Sequence, residues 1–184
     1  GCRLPGMASV DLDTKRYDRQ IRLWGMETQL RMGTTRVLLS GMGGLNAEVA
    51  KNLVLSGIGT VVLQDHRAVT ADDLARGGQF LLGADDVGRN RAEASLPFLR
   101  GLNPSVSVES DARDIKNISC ADLAQFDIIV VTEMGLEEVV KANARAREAR
   151  STQASPAKKR PRDGEAHAPR RPVHFVGASA AGLL

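Results

Sequence analysis

Five residues, Arg36-Val37-Leu38-Leu39-Ser40, run straight into Gly41-Met42-Gly43-Gly44, and an apolar-periodic stretch follows at once. A strand, a glycine turn and a helix in immediate succession leave few folds open. The glycines let the chain reverse tightly and let backbone N–H groups gather at a helix N-terminus, where an anion such as a phosphate is favoured. The helix is predicted over residues 45–56, with Val49, Ala50, Leu53 and Val54 facing inward and Gly57 and Gly59 ending it.

The rest of the chain repeats this alternation. A helical pattern covers residues 14–32, with Tyr17, Ile21 and Trp24 at i, i+4, i+7 spacing as packing residues and Gly25 and Gly33 as punctuation. Further strands are predicted at 60–64, 106–109, 127–131 and 173–176. Helices are predicted at 89–102, kinked by Pro97, at 121–125 and at 136–150. Residues 66–88 show no period and read as a long ordered loop. Strands separated by helices give a parallel sheet covered on both faces. The expected fold class is therefore α/β, a doubly wound Rossmann-like, mainly parallel sheet. Its ligand crevice should lie beyond the C-terminal ends of the strands.

Four of the seven prolines and a dense charge run fall in 151–172. The expected organisation is a flexible leader over 1–13, the α/β domain over 14–150, a disordered basic insertion over 151–172, and a fifth strand with the start of a truncated continuation over 173–184. Ten Lys/Arg against three acidic residues in 141–171 account for the net charge of +3, leaving 15 basic against 19 acidic residues elsewhere. Such a local excess does not argue for a nucleic-acid-binding domain. No apolar run approaches the ~18 residues that span a bilayer. Cys2 and Cys120 fit neither a disulfide framework nor a metal site, so no metal is expected, and a reducing intracellular compartment is the simpler reading.

Gly41, Gly43, Gly44 and Asp65 are the candidate nucleotide-binding residues. Asp65 ends the second strand 21 residues after Gly44, where a carboxylate can accept ribose hydroxyls. The pattern alone does not separate a nucleotide loop from glycines that only permit close strand–helix packing. Asn46 occupies the third glycine position, where its side chain is expected to crowd the helix or project into the phosphate site.

Three segments go beyond a generic glycine loop. Tyr17-Asp18-Arg19-Gln20-Ile21-Arg22-Leu23-Trp24-Gly25 resembles the opening helix of the ubiquitin-like-modifier-activating enzymes, relatives of the bacterial ThiF and MoeB adenylating proteins. Gly43-Gly44-Leu45 with Ala47-Glu48-Val49-Ala50-Lys51-Asn52-Leu53 resembles their nucleotide loop and following helix. Asp86-Val87-Gly88-Arg89-Asn90-Arg91-Ala92-Glu93-Ala94-Ser95 and Leu102-Asn103-Pro104 resemble the next block. The similarity runs from about residue 15 to 148 and resumes at 173. It implies the adenylation-domain fold, which in the family continues well past a fifth strand. It also implies a role in adenylating the C-terminal carboxylate of a small modifier protein with MgATP, before capture by a cysteine thiol.

Departures from the family pattern point to a half that is not catalytic alone. Active members carry D-x-D where this chain has Asp65-His66-Arg67, and an Asn-Arg-Gln cluster where it has Gly77-Gly78-Gln79. They place Lys at Arg91 and a metal-binding Asp at Met134. A thioether does not hold Mg²⁺, which demands oxygen ligands; Glu133 beside it is out of phase with the strand and is discounted as a substitute. The resemblance thus implies no cofactor on this chain and MgATP in a partner subunit.

In the family, the Arg of the opening helix, here Arg19, reaches across the dimer to the partner's ATP; the bland alternative is a surface Arg pairing with Asp18. The thioester cysteine must come from that partner, since Cys120 reads as a helix-face hydrophobe. Gly78-Gln79-Phe80-Leu81 and the run 87–95 most resemble the non-catalytic subunit of the SUMO-activating type, which implies a heterodimer with a cysteine-bearing catalytic subunit, SUMO as the modifier, and neither nucleic acid nor membrane as partner. The equivalent subunit or N-terminal half of an enzyme for another modifier stays open, as does an NAD(P)-dependent oxidoreductase domain. Lys158-Lys159-Arg160-Pro161-Arg162 has the density of a nuclear-import patch, and the resemblance implies the nucleus, with the cytoplasm as a second location.

Overall fold

The computed structural model describes residues 13–75, 79–153 and 174–177. Five strands form one sheet: β1 (Arg36–Ser40), β2 (Thr60–Gln64), β3 (Ser107–Asp111), β4 (Ile128–Val131) and β5 (His174–Gly177). Their order is β3-β2-β1-β4-β5, and every pairing is parallel. The expected doubly wound parallel sheet is what the chain forms.

Strand periodicity divides the core in two. Val37, Leu39, Val61, Leu63 and Val108 face one side, where Ala47, Ala50 and Val54 of α3 (Gly44–Ser56) and Leu99 of α5 (Arg91–Leu102) close over them. Leu38, Val62, Ile129 and Val131 face the other side, against Ile115, Ile118, Leu123 of α6 (Cys120–Leu123), Phe126, and Ala146 of α7 (Leu136–Gln153). Register aligns Leu38 with Val62 and Ile129, so each layer is continuous across the sheet. α5 runs as one helix through Pro97.

Element boundaries shift where capping chemistry overrides periodicity. The segment 66–88 contains α4 (Ala71–Leu74) and a 3₁₀ turn (Ala84–Asp86), so it is not wholly loop. Thr70 and Asp73 form a reciprocal capping box that starts α4. Asn90 caps α5, accepting from Ala92 and Glu93 N–H at 3.0 and 3.1 Å, which starts that helix two residues later than expected. α7 continues to Gln153, three residues into the segment assigned to the basic insertion; residues 154–172 lie outside the described residues, as does the leader except Asp13. Asp13 accepts from Arg16 N–H at 3.0 Å.

The opening helical stretch divides at Gly25, whose φ of 88° breaks it into α1 (Asp18–Trp24) and α2 (Met26–Met32). Of the three residues expected to pack, only Tyr17 is buried. α1 itself buries none, and Trp24 remains 36% exposed while its indole N–H donates to Gln29 Oε1 at 3.0 Å. Tyr17 anchors the entry to α1. Its ring lies against Gly57, which ends α3 in the left-handed region at φ 81°, and its hydroxyl accepts from Asn103 Nδ2 at 2.8 Å. Asn103 also donates to Val54 O at 2.8 Å, so α1, α3 and α5 meet at one amide. Tyr17→Phe should lose about 1 kcal/mol of unfolding free energy in urea titration, one net buried hydrogen bond, with the fold retained.

Candidate functional site

The order β3-β2-β1-β4-β5 reverses direction between β1 and β4, and a crevice opens beyond their C-terminal ends, where doubly wound sheets place ligands. A cleft of about 260 Å³ lies there, bounded by Gly41, Asp65, Arg67, Lys116, Thr132 and Glu133 among others.

The glycine loop is built from the strand ends. Gly41 N–H donates to Gln64 O at 2.9 Å, and Thr132 Oγ1 donates to Gly41 O at 2.8 Å. Gly41 has φ 86°, and a Cβ there would overlap the Thr132 backbone, so only glycine fits. Met42 N–H donates to Asp65 Oδ2 at 2.8 Å, and Met42 O accepts from Gln79 Nε2 at 2.6 Å. Gly43 precedes α3 and Gly44 is its first residue. Asn46 neither crowds the helix nor projects into the site. It is fully buried and donates from Nδ2 to Ser40 O at 3.0 Å and Gly41 O at 2.8 Å, tying α3 beneath the loop.

Asp65 sits at the centre, its side chain 1% exposed. Besides Met42 N–H it accepts from Arg67 three times: N–H and Nε to Oδ1 at 2.9 Å each, and Nη2 to Oδ2 at 2.8 Å. Burial alone would raise its pKa, but these bonds from Arg67 and Met42, with the Arg67 charge, hold it below the ordinary aspartate value. The same pair raises the Arg67 pKa. Asn90 Nδ2 donates to Asp65 O at 2.7 Å and thereby sets α5 against this strand end.

Glu133 corrects the expectation from strand phase. β4 ends at Val131, and Glu133 has φ 58°, the one positive φ among the described non-glycine residues. This left-handed step turns its carboxylate onto the loop, where a Cβ on Gly43 would overlap it. Its Oε2 lies 2.5 Å from Arg67 Nη2 and 3.3 Å from Arg91 Nη1. Arg91, 12% exposed, also grips Asp73, with Nε 3.1 Å from Oδ2 and Nη2 on Oδ1. The Asp73 pKa is lowered, against its burial, by hydrogen bonds from Thr70 and by Arg91. Asp65, Asp73 and Glu133 with Arg67 and Arg91 thus form one network over the loop. Reading Arg67 only as a lost acid missed it; the signal was a complementary pair, an Arg after β2 and a Glu after β4, whose ends are neighbours through β1.

Met134 lines the cleft and packs against the second core layer. Among the described residues, no group of three or more His, Cys, Asp or Glu is placed to hold a metal ion. Arg19 is elsewhere: it is exposed on α1, does not line the cleft, and its side chain makes no hydrogen bond or ion pair with the described residues. Asp18, its surface partner in the alternative reading, pairs with Arg22 at 3.0 Å.

Comparison with known proteins adds a second line. The model of the ThiF family matches residues 17–132. SUMO-activating enzyme subunit 1 of Xenopus laevis is 48% identical over 131 residues, covering 71% of this chain and 38% of that protein. Its Homo sapiens counterpart is 46% identical over 131 residues, covering 71% and 37%. The crystal structure of E. coli MccB with succinimide is similar at 28% identity and a TM-score of 0.59, covering 70% of this chain and 40% of that one. The chain therefore spans less than two-fifths of the length of these curated relatives.

Replacing Arg67 tests the centre of the network. Arg67→Met removes both guanidinium bonds and leaves the buried Asp65 carboxylate with the backbone N–H groups of residues 42 and 67 and with Arg91 Nη1 at 3.8 Å. The expected cost is about 2 kcal/mol at pH 7 by urea unfolding. In the wild type the lowered folded pKa of Asp65 contributes stability above the ordinary value of about 3.9, lost as pH falls through the lower folded value. In the variant fewer donors oppose burial, so the folded pKa lies higher than in the wild type and less stability is lost on acidification. The gap between the two proteins should be full near pH 7 and close as pH falls below 4. A gap independent of pH would mean that the carboxylate is not its source.

Proposed function

Since the chain belongs to the ThiF family, we propose that it is the adenylation-fold part of the non-catalytic subunit of a SUMO-activating enzyme, supporting ATP-dependent activation of SUMO in a cysteine-bearing partner subunit. The observation that carries the reading is the 44–48% identity to SUMO-activating enzyme subunit 1 from several vertebrates, well above a shared fold alone.

The residues at the cleft do not fit MgATP. The carboxylate that would take ribose hydroxyls, Asp65, is covered by Arg67; Glu133 lies against Gly43; and Met134, the position to which the family resemblance assigns a metal-binding Asp, offers the cleft a thioether. No chemical step is therefore assigned to this cleft. An NAD(P)-dependent oxidoreductase would need the same Asp65 oxygens, so it finds no support in this geometry.

Arg19 is the residue this chain offers to the reaction. It lies four residues from Leu23 on α1, and Leu23 is 79% exposed, so a charge and an apolar contact share one uncovered helix face. On a partner's surface, Leu23 would supply burial and Arg19 a guanidinium directed at phosphate oxygens, where charge builds during acyl adenylate formation. The modifier is SUMO in this reading, and the location is the nucleus, with the basic run Lys158-Lys159-Arg160-Pro161-Arg162 as the import signal; that run lies outside the described residues.

Reconstitution with a cysteine-bearing activating subunit tests the assignment. ATP–pyrophosphate exchange and SUMO thioester formation should require both chains. Arg19→Ala should lower exchange by roughly a hundredfold, the scale of one preorganised transition-state contact, with co-elution of the two subunits unchanged. Exchange at the wild-type rate would remove Arg19 from the mechanism.

A further inference from the structure

The five-residue network does something that a generic surface ion cluster does not: it places one carboxylate on the glycine loop itself. We propose that Glu133, clamped by Arg67 and Arg91, is a built-in occupant of this loop, an intramolecular anion standing where the phosphate of a nucleoside diphosphate would otherwise bind.

Backbone geometry is the first support. Glu133 adopts φ 58°, a conformation that costs a non-glycine residue on the order of 1 kcal/mol and persists where surrounding contacts over-determine it. Here those contacts are two guanidinium groups converging on a single oxygen, Oε2, at 2.5 and 3.3 Å. Contact with Gly43 is the second support. The carboxylate occupies the space a Cβ would fill, immediately before the N-terminus of the 13-residue α3, an electropositive end that favours an anion.

Arg67 joins this occupant to the neighbouring subsite. Its guanidinium bonds Glu133 and both oxygens of Asp65 at once, so one side chain covers the carboxylate suited to ribose and fixes the carboxylate over the loop. Three acids against two arginines leave the cluster with a formal charge of −1, which repels an incoming phosphate. The loop keeps its shape without Glu133, because Gly41 and Met42 are held by Gln64, Asp65, Gln79 and Thr132. Removing the carboxylate should therefore leave a formed loop facing two arginine N–H donors with nothing to bind.

The inference deepens the reading of a non-catalytic subunit: the cleft is closed by its own side chain and does not compete for the partner's nucleotide. It stands on this chain's geometry, and its test needs no partner, so its failure leaves the Arg19 experiment untouched. ADP and, separately, inorganic pyrophosphate would be titrated calorimetrically into the 184-residue chain. Glu133→Gly, which also suits the positive φ, should bind both at least about tenfold more tightly than wild type. Glu133→Gln, neutral but of equal size, should fall between them. Affinities within about threefold across wild type and a folded Glu133→Gly variant would overturn the proposal. Should Glu133→Gly fail to fold, Glu133→Gln decides, and ADP affinity no better than wild type would overturn it equally.

Discussion

A carboxylate buried at the end of a strand has to be satisfied by donors, because an isolated charge in that position costs several kcal/mol. Asp65 is such a group, and its neighbours are arranged around that requirement. Met42 N–H bends the glycine loop toward it, and Arg67 folds back over it from two residues further on. Arg91 approaches to 3.8 Å from the start of α5, whose N-cap residue, Asn90, bonds the Asp65 carbonyl. The loop, the second strand end and α5 are thus positioned by one charge. An ordinary nucleotide-binding loop leaves such a carboxylate open to a ligand. Here the donors come from the chain.

Internal satisfaction explains why the departure at Arg67 is consistent with the carboxylate of Glu133 beside it. An Arg in place of an acid at position 67 binds both oxygens of Asp65 and already takes up the charge of that buried carboxylate. A Glu at 133 would, alone, bring a third carboxylate toward Asp65 and Asp73. Arg67 meets that carboxylate too, across β1, at 2.5 Å. Exposed ion pairs contribute little, and Arg67 is 37% exposed, so this pair does not hold the fold together. Its contribution is geometric: it fixes where two charged side chains rest, and both rest in the cleft.

Much of this fold was legible in the sequence, for definite reasons. Strands buried on both faces read as short apolar runs, so 36–40 and 60–64 were found to the residue. The glycine loop was legible because its turn demands glycine at 41, where the φ is positive and the Thr132 backbone lies too close for a Cβ. α4 was not, since four residues carry no period and only the pairing of Thr70 with Asp73 marks it. Glu133 was misread because strand alternation was extended past Val131, whereas one left-handed residue reverses the direction in which a side chain points. Asn46 was misread because a large polar side chain at a glycine position suggests crowding, and the buried carbonyls of Ser40 and Gly41 that accept its amide are apparent only in three dimensions. Trp24 sat at the right spacing on a helix that presents no buried face at all.

The arginines divide the molecule's labour. Arg67 and Arg91 are spent inside, on Asp65, Asp73 and Glu133, and a guanidinium held by two carboxylates has few donors left for a ligand. Arg19 is the opposite case: its neighbour Asp18 is already bound to Arg22, and nothing among the described residues engages it. Holding a long side chain uncommitted on a helix without buried residues contributes nothing to this chain's own stability. The arrangement makes physical sense if that guanidinium meets its counter-charge outside the chain, while the cleft inside is already satisfied. A fold that elsewhere grips a nucleotide would then serve another site by keeping its own closed and its outer arginine free.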